Sequence, residues 1–294
     1  MSDGGALAPS GQREPLSGPE FDELRSRIAA TLGIDYPPHR LDTLASRVAS
    51  RLRAHGMSSY ADYCAHLRRR PADDEEWDHL AELLTNSETY FFREPGQLDQ
   101  AATLVSELGG PREEPIRALS AGCSSGEEAY TLAMVLASRT LVSKHFEVHG
   151  VDVTPTRLAQ AREGRYSLRS LSRGAPPPSG IRVEHFGATQ GDHWQLHGWL
   201  RERVHFHKRN LVDPRGLRLG QFDLVFCRNV LIYAHPDRVS AFLRSLYDAL
   251  RPGGHLFLGS SETLMGTDVP LDVVRLGDYF TYVRRDEDPR TDRR

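Results

Sequence analysis

Residues Ala118 to Ala133, ALSAGCSSGEEAYTLA, join an apolar strand end to a turn of small residues and then to a helix led by two acids. This order restricts the fold more than any other stretch of the chain. Pro115 to Leu119 can supply the strand. Gly122 and Gly126 let backbone pass close to a ligand without a Cβ in the way. Ser124 or Ser125 is available to cap the helix that follows. A strand, a glycine turn and a helix in succession form a nucleotide-handling loop.

The loop is not the dinucleotide fingerprint. It lacks the G-x-G-x-x-G spacing, and Glu127 and Glu128 stand where a pyrophosphate needs bare N–H groups. A ligand bearing an amino group suits it better, and S-adenosylmethionine carries both an ammonium and a sulfonium. The next strand, Phe146 to Asp152, ends in an acid 26 residues after Gly126, where a carboxylate can take both ribose hydroxyls. Read alone, these features fit a structural turn and an ordinary surface Asp equally well.

From about residue 94 the pattern alternates strands and helices, which predicts a parallel sheet with helices on both faces. Expected strands lie at 115–119, 146–152, 203–207, 222–227 and 255–259, with a final apolar pair near 273–283. A helix is expected from Pro236 to Leu250, since Val239, Phe242, Leu243, Leu246 and Leu250 recur at helical spacing before Arg251-Pro252-Gly253-Gly254 ends it. Residues 181–200 break the alternation and read as a small antiparallel insertion. Residues 19–86 carry only helical signals. In Pro37 to His55, Leu41, Leu44, Ala45, Val48 and Leu52 form one buried stripe. Further helices are expected from Ser58 to Arg69 and from Asp73 to Thr85, with Asp73 to Glu76 placed favourably at a helix N-terminus.

The expected organisation is a disordered tail over 1–18, a helical domain over 19–88, a nucleotide-binding domain over 89–284 and a second disordered tail over 285–294. The 294 residues favour two domains, and 39% hydrophobic with 26% charged residues is an ordinary globular composition. A formal charge of -3 argues against a molecule-wide nucleic-acid surface. Cys64, Cys123 and Cys227 are too few and too scattered for a disulfide framework or a zinc site, so a reducing compartment and no metal are expected. Without an apolar run of the ~18 residues that span a bilayer, or a signal-peptide pattern at the start, the expected location is the cytoplasm, with no membrane insertion.

Four segments, in order, resemble the chemotaxis receptor glutamate methyltransferases, the CheR family. SAGCSSGEEAYTLA is similar to that family's S-adenosylmethionine loop. Thr85-Asn86-Ser87-Glu88-Thr89-Tyr90-Phe91-Phe92-Arg93 resembles its T-x-N-E-T-x-F-F-R signature. Phe226 to Tyr233 resembles F-C-R-N-V-x-I-Y, and Gly259-Ser260-Ser261-Glu262 resembles G-H-S-E. Ser87, Ala129, Ser260 and Ala234 depart from the usual residues at their positions. The resemblance spans roughly residues 20–285 and implies a fold class: α/β, a Rossmann-like doubly wound methyltransferase sheet with an N-terminal all-α domain and a small antiparallel β insertion.

The resemblance also implies roles. The cofactor is S-adenosyl-L-methionine and the product S-adenosyl-L-homocysteine, held by Ser87, Thr89, Arg93, Glu128, Asp152, Asn210, Leu211, Arg228 and Asn229. Glu128 is expected to meet the methionine amino group, with Glu127 its competitor, Asp152 the ribose, and Asn210 with Leu211 the adenine edge. Arg93 and Tyr233 are the expected catalytic residues, because methyl transfer to an ionised glutamate needs alignment rather than a strong base. The implied acceptor is a glutamate on the cytoplasmic methylation helices of a chemoreceptor. The alternatives are another acceptor or a cofactor-binding regulator without turnover. The insertion's short Gly turn argues against binding a receptor's C-terminal peptide tether. In the helical domain nine arginines face six acids over residues 19–72, and Arg40, Arg47 and Arg51 on one stripe are expected to dock the receptor, although solvated helix faces look the same.

Overall fold

The computed structural model describes residues 15–108, 114–139, 146–174, 176–178, 180–213 and 215–285. The described residues begin before the expected boundary. Leu16 is buried, and Ser17 caps helix α1 (Gly18–Leu32) in a reciprocal box with Glu20. The rest of the expected N-terminal tail, 1–14, and residues 286–294 lie outside the described residues. Arg285 pairs with Asp272 instead of starting a tail.

Helices α2 (Leu41–Ala54), α3 (Tyr60–Arg68) and α4 (Glu75–Leu84) complete the N-terminal bundle. The first expected helix splits, because Pro37 and Pro38 set a short 3-10 turn over Pro38–Arg40 before α2 begins. Leu44, Val48 and Leu52 are fully buried against Leu24, Ile28 and Leu80. Each such side chain removed from water contributes about 1.5–3 kcal/mol.

The second domain runs α5 (Pro95–Leu108), β1 (Ile116–Ala121), α6 (Glu127–Arg139), β2 (Phe146–Asp152), α7 (Pro155–Glu163), β3 (Arg165–Ser167), α8 (Leu168–Ser172), β4 (Gly187–Gln190), β5 (His193–Leu196), α9 (Gly198–Arg201) and β6 (Val204–Lys208). It continues with β7 (Phe222–Cys227), α10 (Pro236–Ala249), β8 (Leu250–Leu258), β9 (Leu271–Leu276) and β10 (Tyr279–Arg284). Seven strands form one sheet in the order β6-β2-β1-β7-β8-β10-β9. The first five pair in parallel and β10 is antiparallel to both neighbours. Alternation fixes which residues face which layer. Ile116 and Ala118 pack under α5 and α6, while Leu119 and Ala121 share a second core with Phe242, Leu243 and Leu246 of α10.

The insertion is larger than its sequence signal. β3, β5 and β4 form a three-stranded antiparallel sheet that starts at Arg165. Tyr166 and Trp194 from this sheet meet Phe91 edge-on, with centroids 4.9 and 5.4 Å away. Those contacts anchor the segment that leads out of the helical domain. In the main sheet, strand order reverses between β1 and β7, so a crevice opens beyond their carboxyl ends.

Candidate functional site

A cleft of about 1110 Å³, including its open mouth, occupies that crevice. It brings together Ser87, Thr89 and Arg93 from the strap after α4, Glu128 from α6, Asp152 from β2, Asn210 and Leu211 after β6, and Arg228, Asn229 and Tyr233 after β7. The helical domain adds Leu32, Gly33 and Ile34 as one wall. That wall is tied down by backbone pairing. The N–H of Asp35 donates to the carbonyl of Tyr233 at 2.8 Å, and the N–H of His235 donates to Gly33 at 2.8 Å.

Two carboxylates face the cleft in different ways. One Asp152 oxygen accepts from the N–H of Ser124 at 2.8 Å and the other from the N–H of Thr154 at 2.9 Å. The carboxylate is therefore fixed in orientation. The same bond uses a loop N–H that an anionic ligand would need, in keeping with the argument against a pyrophosphate. Glu128 accepts from the hydroxyl of Ser120 at 2.7 Å and from Nε of Arg228 at 2.7 Å. Glu127 is 5% exposed and does not line the cleft; its carboxylate accepts from the hydroxyls of Ser125 and Ser170. Burial raises the Glu127 pKa above the ordinary carboxylate value. Of the two acids at the start of α6, Glu128 is the one that lines the cleft.

The fold itself requires glycine at positions 122 and 126. Both hold positive φ, 79° and 96°. A Cβ on Gly122 would lie 2.5 Å from Val230, and one on Gly126 would lie 2.8 Å from Ala161. Side chains of the protein fill the space beside both glycines, and Gly122 also lines the cleft.

The loop after β7 holds left-handed backbone at a non-glycine residue, with φ of 60° at Asn229. Such strain persists only where surrounding bonds over-determine it. Glu262 provides them. Its two carboxylate oxygens accept from the N–H groups of Asn229 (2.7 Å), Val230 (2.9 Å), Ile232 (3.2 Å) and Gly259 (2.8 Å). The G-S-S-E turn is thus a clamp on the segment that carries Asn229 and Tyr233, a role that motif matching alone does not assign. Asn229 Oδ1 is buried, with no hydrogen-bond partner among the described residues. An acceptor left vacant at a cleft wall is matched to a ligand N–H.

Asn86, which the sequence reading did not single out as a site residue, donates from Nδ2 to the Tyr233 hydroxyl at 3.1 Å. That bond fills an acceptor position of the hydroxyl and leaves its proton free to be donated. The Arg93 guanidinium lies over the Tyr90 ring, 5.5 Å from the centroid, and has no carboxylate partner among the described residues.

Two expectations need correction. The Asn210 side chain does not offer its amide to the cleft: Nδ2 donates to Thr31 at 2.6 Å, and Oδ1 accepts from Val212 N. Asn210 therefore joins the loop to the C-terminal turn of α1. The expected stripe of docking arginines is largely spent inside the helical domain. Arg47 donates to the Tyr36 hydroxyl at 3.0 Å and to the Leu84 carbonyl at 2.9 Å. Arg51 makes a two-pronged pair with Glu76 at 3.0 and 2.6 Å. Arg40 lies against the Tyr36 ring at 5.7 Å. Glu76 itself is 2% exposed rather than a solvated acid of the helix start.

A family profile described as "CheR methyltransferase, SAM binding domain" matches residues 87–280, and one described as "CheR methyltransferase, all-alpha domain" matches residues 19–85. The chain is 33% identical over 273 residues to a probable biofilm formation methyltransferase, WspC, of Pseudomonas putida. That alignment covers 91% of this chain and 61% of the relative, so the chain spans less than two thirds of that protein. It is 29% identical over 255 residues to the chemotaxis protein methyltransferase of Borreliella burgdorferi, covering 84% and 89% of the two chains. Chemotaxis protein methyltransferase 1 of Pseudomonas aeruginosa is 29% identical over 252 residues, covering 83% and 90%. With both halves of the chain matched in order, and three of the four motif segments lining one cleft, this protein belongs to the CheR methyltransferase family.

Proposed function

We propose that the chain transfers a methyl group from S-adenosylmethionine to glutamate side chains on the cytoplasmic methylation helices of a chemoreceptor. The observation that carries this reading is the meeting, in one cleft, of two oriented carboxylates, Asp152 and Glu128, with the vacant acceptor Asn229 Oδ1. The two carboxylates fit a ligand with hydroxyl and ammonium protons. Asp152 would hold the ribose, Glu128 and Asn229 the ammonium end, and Leu211 the base through its backbone. When bound, the cofactor supplies an electrophilic methyl group on a sulfonium.

The chain's own residues then have an alignment task. An acceptor glutamate with an ordinary pKa of about 4.3 arrives ionised at neutral pH, so no strong base is required. Arg93 offers a guanidinium that can take one face of that carboxylate. Tyr233 donates its free proton to one oxygen and leaves the other directed at the reacting carbon. The wall of Leu32 to Ile34 excludes water from one side. Fixing reactants in this way can supply effective molarities of order 10⁵ M.

Cys64, Cys123 and Cys227 are free and buried, which suits a reducing cytoplasm. Among the described residues no helix is long and apolar enough to cross a membrane. The β4–β5 turn is only Gly191-Asp192, which supports the reading that no receptor tether is gripped there. The relative named for biofilm formation favours a second reading, the same chemistry on a receptor whose output is not motility. Calorimetry with S-adenosylhomocysteine tests the cofactor assignment. Wild type should give a heat of binding that Asp152→Ala abolishes, and equal heats from the two proteins would refute the assignment.

A further inference from the structure

Tyr233 is gripped at both ends by parts of the chain that are distant in sequence. Its hydroxyl accepts from Asn86 in the strap, and its carbonyl accepts from the N–H of Asp35, just after α1 in the helical domain. Two residues on, the N–H of His235 bonds back to the Gly33 carbonyl, so Gly33–Asp35 and Tyr233–His235 form a short antiparallel bridge centred on Ile34 and Ala234. Ile34 and Ala234 line the cofactor cleft, whereas Asp35 and His235 stand outside it.

The side chains at that outer end face one another. Nε2 of His235 lies 3.8 Å from Oδ1 of Asp35, and the same oxygen accepts from Nη2 of Arg25 on α1 at 3.4 Å. Nδ1 of His235 accepts from the N–H of Asp237 at 3.3 Å and so caps α10. With Nδ1 an acceptor, the ring carries its proton on Nε2, the nitrogen that faces Asp35. A line of contacts thus runs from α1 through Asp35 and His235 to the first turn of α10, and it crosses the backbone that follows Tyr233. The Glu262 clamp reaches only as far as the N–H of Ile232. Beyond that point Tyr233 sits on a short 3-10 turn, Leu231–Tyr233, whose bonds alone hold it loosely.

We propose that Asp35 and His235 are positioning residues for methyl transfer, locking the end of α1 against the Tyr233 segment so that the helical domain sets where the Tyr233 hydroxyl stands. The inference rests on the methyltransferase reading above and on the role it gives to Tyr233. The helical domain is then part of the reaction site as well as a wall of the cleft.

The test uses the full chain carrying Asp35→Ala or His235→Asn, each alone and combined with Tyr233→Phe. Asparagine keeps an acceptor for the start of α10 but lacks the ring nitrogen that faces Asp35. Methyl transfer to receptor cytoplasmic fragments gives kcat and KM, and calorimetry gives S-adenosylhomocysteine affinity. Each single variant should lower kcat by about tenfold, with KM and S-adenosylhomocysteine affinity within about twofold of wild type. In the Tyr233→Phe background the same changes should cost less than about twofold in kcat, because the hydroxyl they place is gone. Asp35→Asn keeps an oxygen for the ring proton and for Arg25 and should recover most of the loss. Equal kcat losses in both backgrounds would overturn the proposal, as would S-adenosylhomocysteine affinity falling as far as kcat. A second readout needs no turnover. In protein made with isotope-labelled tyrosine, the ring resonance that disappears in Tyr233→Phe should shift or broaden in Asp35→Ala and in His235→Asn, and an unmoved resonance would also overturn the proposal. If wild type methylates no receptor fragment, the receptor reading falls and this resonance decides the positioning by itself. Asp35→Ser takes the place of Asp35→Ala, under the same criteria, if the alanine variant does not fold.

Discussion

Nε of Arg228 donates to the Glu128 carboxylate across 2.7 Å, with the two side chains only 1% and 12% exposed. A second nitrogen of the same guanidinium reaches the backbone carbonyl of Arg93 at 2.7 Å, so one buried cation links α6, the strap and the loop after β7. Removing one partner leaves the other as an uncompensated buried charge, which costs about 3 kcal/mol or more. Glu128→Ala and Arg228→Ala should each lower unfolding free energy by that amount. The double variant should lose less than the sum, a coupling readable by urea denaturation of the four proteins of the cycle.

Glu262 sits opposite four backbone N–H groups, two on each oxygen, and its amide counterpart would turn an NH2 donor toward two of them. An unmade bond to a buried donor costs about 1–3 kcal/mol. Glu262→Gln should therefore release the left-handed turn at Asn229 and weaken S-adenosylhomocysteine binding by about tenfold or more, measured by calorimetry. An unchanged affinity would show that the turn holds without its clamp.

Tyr233 is expected to act on alignment alone. Tyr233→Phe keeps the ring and removes the hydroxyl that Asn86 supports. We predict kcat lowered by about tenfold, with S-adenosylhomocysteine affinity kept. Asn86→Ala should show a smaller loss of the same kind. Steady-state kinetics with saturating cofactor separates these effects.

The helical domain should be acid-sensitive in a defined window. Burial opposes ionisation of Glu76, but hydrogen bonds from Arg51, Tyr63 and His55 outweigh it and hold its pKa at about 2, below the usual 4.5. A depressed carboxylate stabilises the fold above pH 4.5 and loses that contribution as the pH falls toward 2. Allowing for screening by its partly exposed partners, the loss is on the order of 2 kcal/mol. His149, in β2 of the second domain, adds a loss of stability at higher pH. Burial first, then Arg117 and His207, lower its pKa to about 4, so the unfolded chain takes up a proton between pH 6.5 and 4 that the folded protein refuses. Thermal unfolding should show Tm falling in two stages, and Glu76→Gln should flatten the lower one.

The parts of this design that local pattern reveals are those decided by local pattern. β2 and β7 lie where alternating and continuous apolar runs put them, at Phe146–Asp152 and Phe222–Cys227, and α10 ends before Arg251-Pro252. Arg47 and Arg51 misled for the opposite reason. Their partners, Leu84 and Glu76, lie 37 and 25 residues away, and nothing in a helical stripe shows that a charge on it is spent. Asn210 likewise sits in a plain turn, and only the fold brings Thr31 to its amide. The β insertion began earlier than expected because β3 has only three residues, too few for an alternating signal. Glu262 was visible as part of a motif, but its partners lie at the end of another strand.

The most direct test of the central claim is base-labile methyl ester formation on the host's receptor fragments. Purified full chain, labelled S-adenosylmethionine and soluble receptor cytoplasmic domains are incubated together. Alkali-released methanol and the modified residues are then measured, the latter by mass spectrometry. Methyl esters on receptor glutamates, absent with Asp152→Ala, are the predicted result. Methylation confined to other side chains, or S-adenosylhomocysteine binding with no methyl transferred to any receptor, would contradict it.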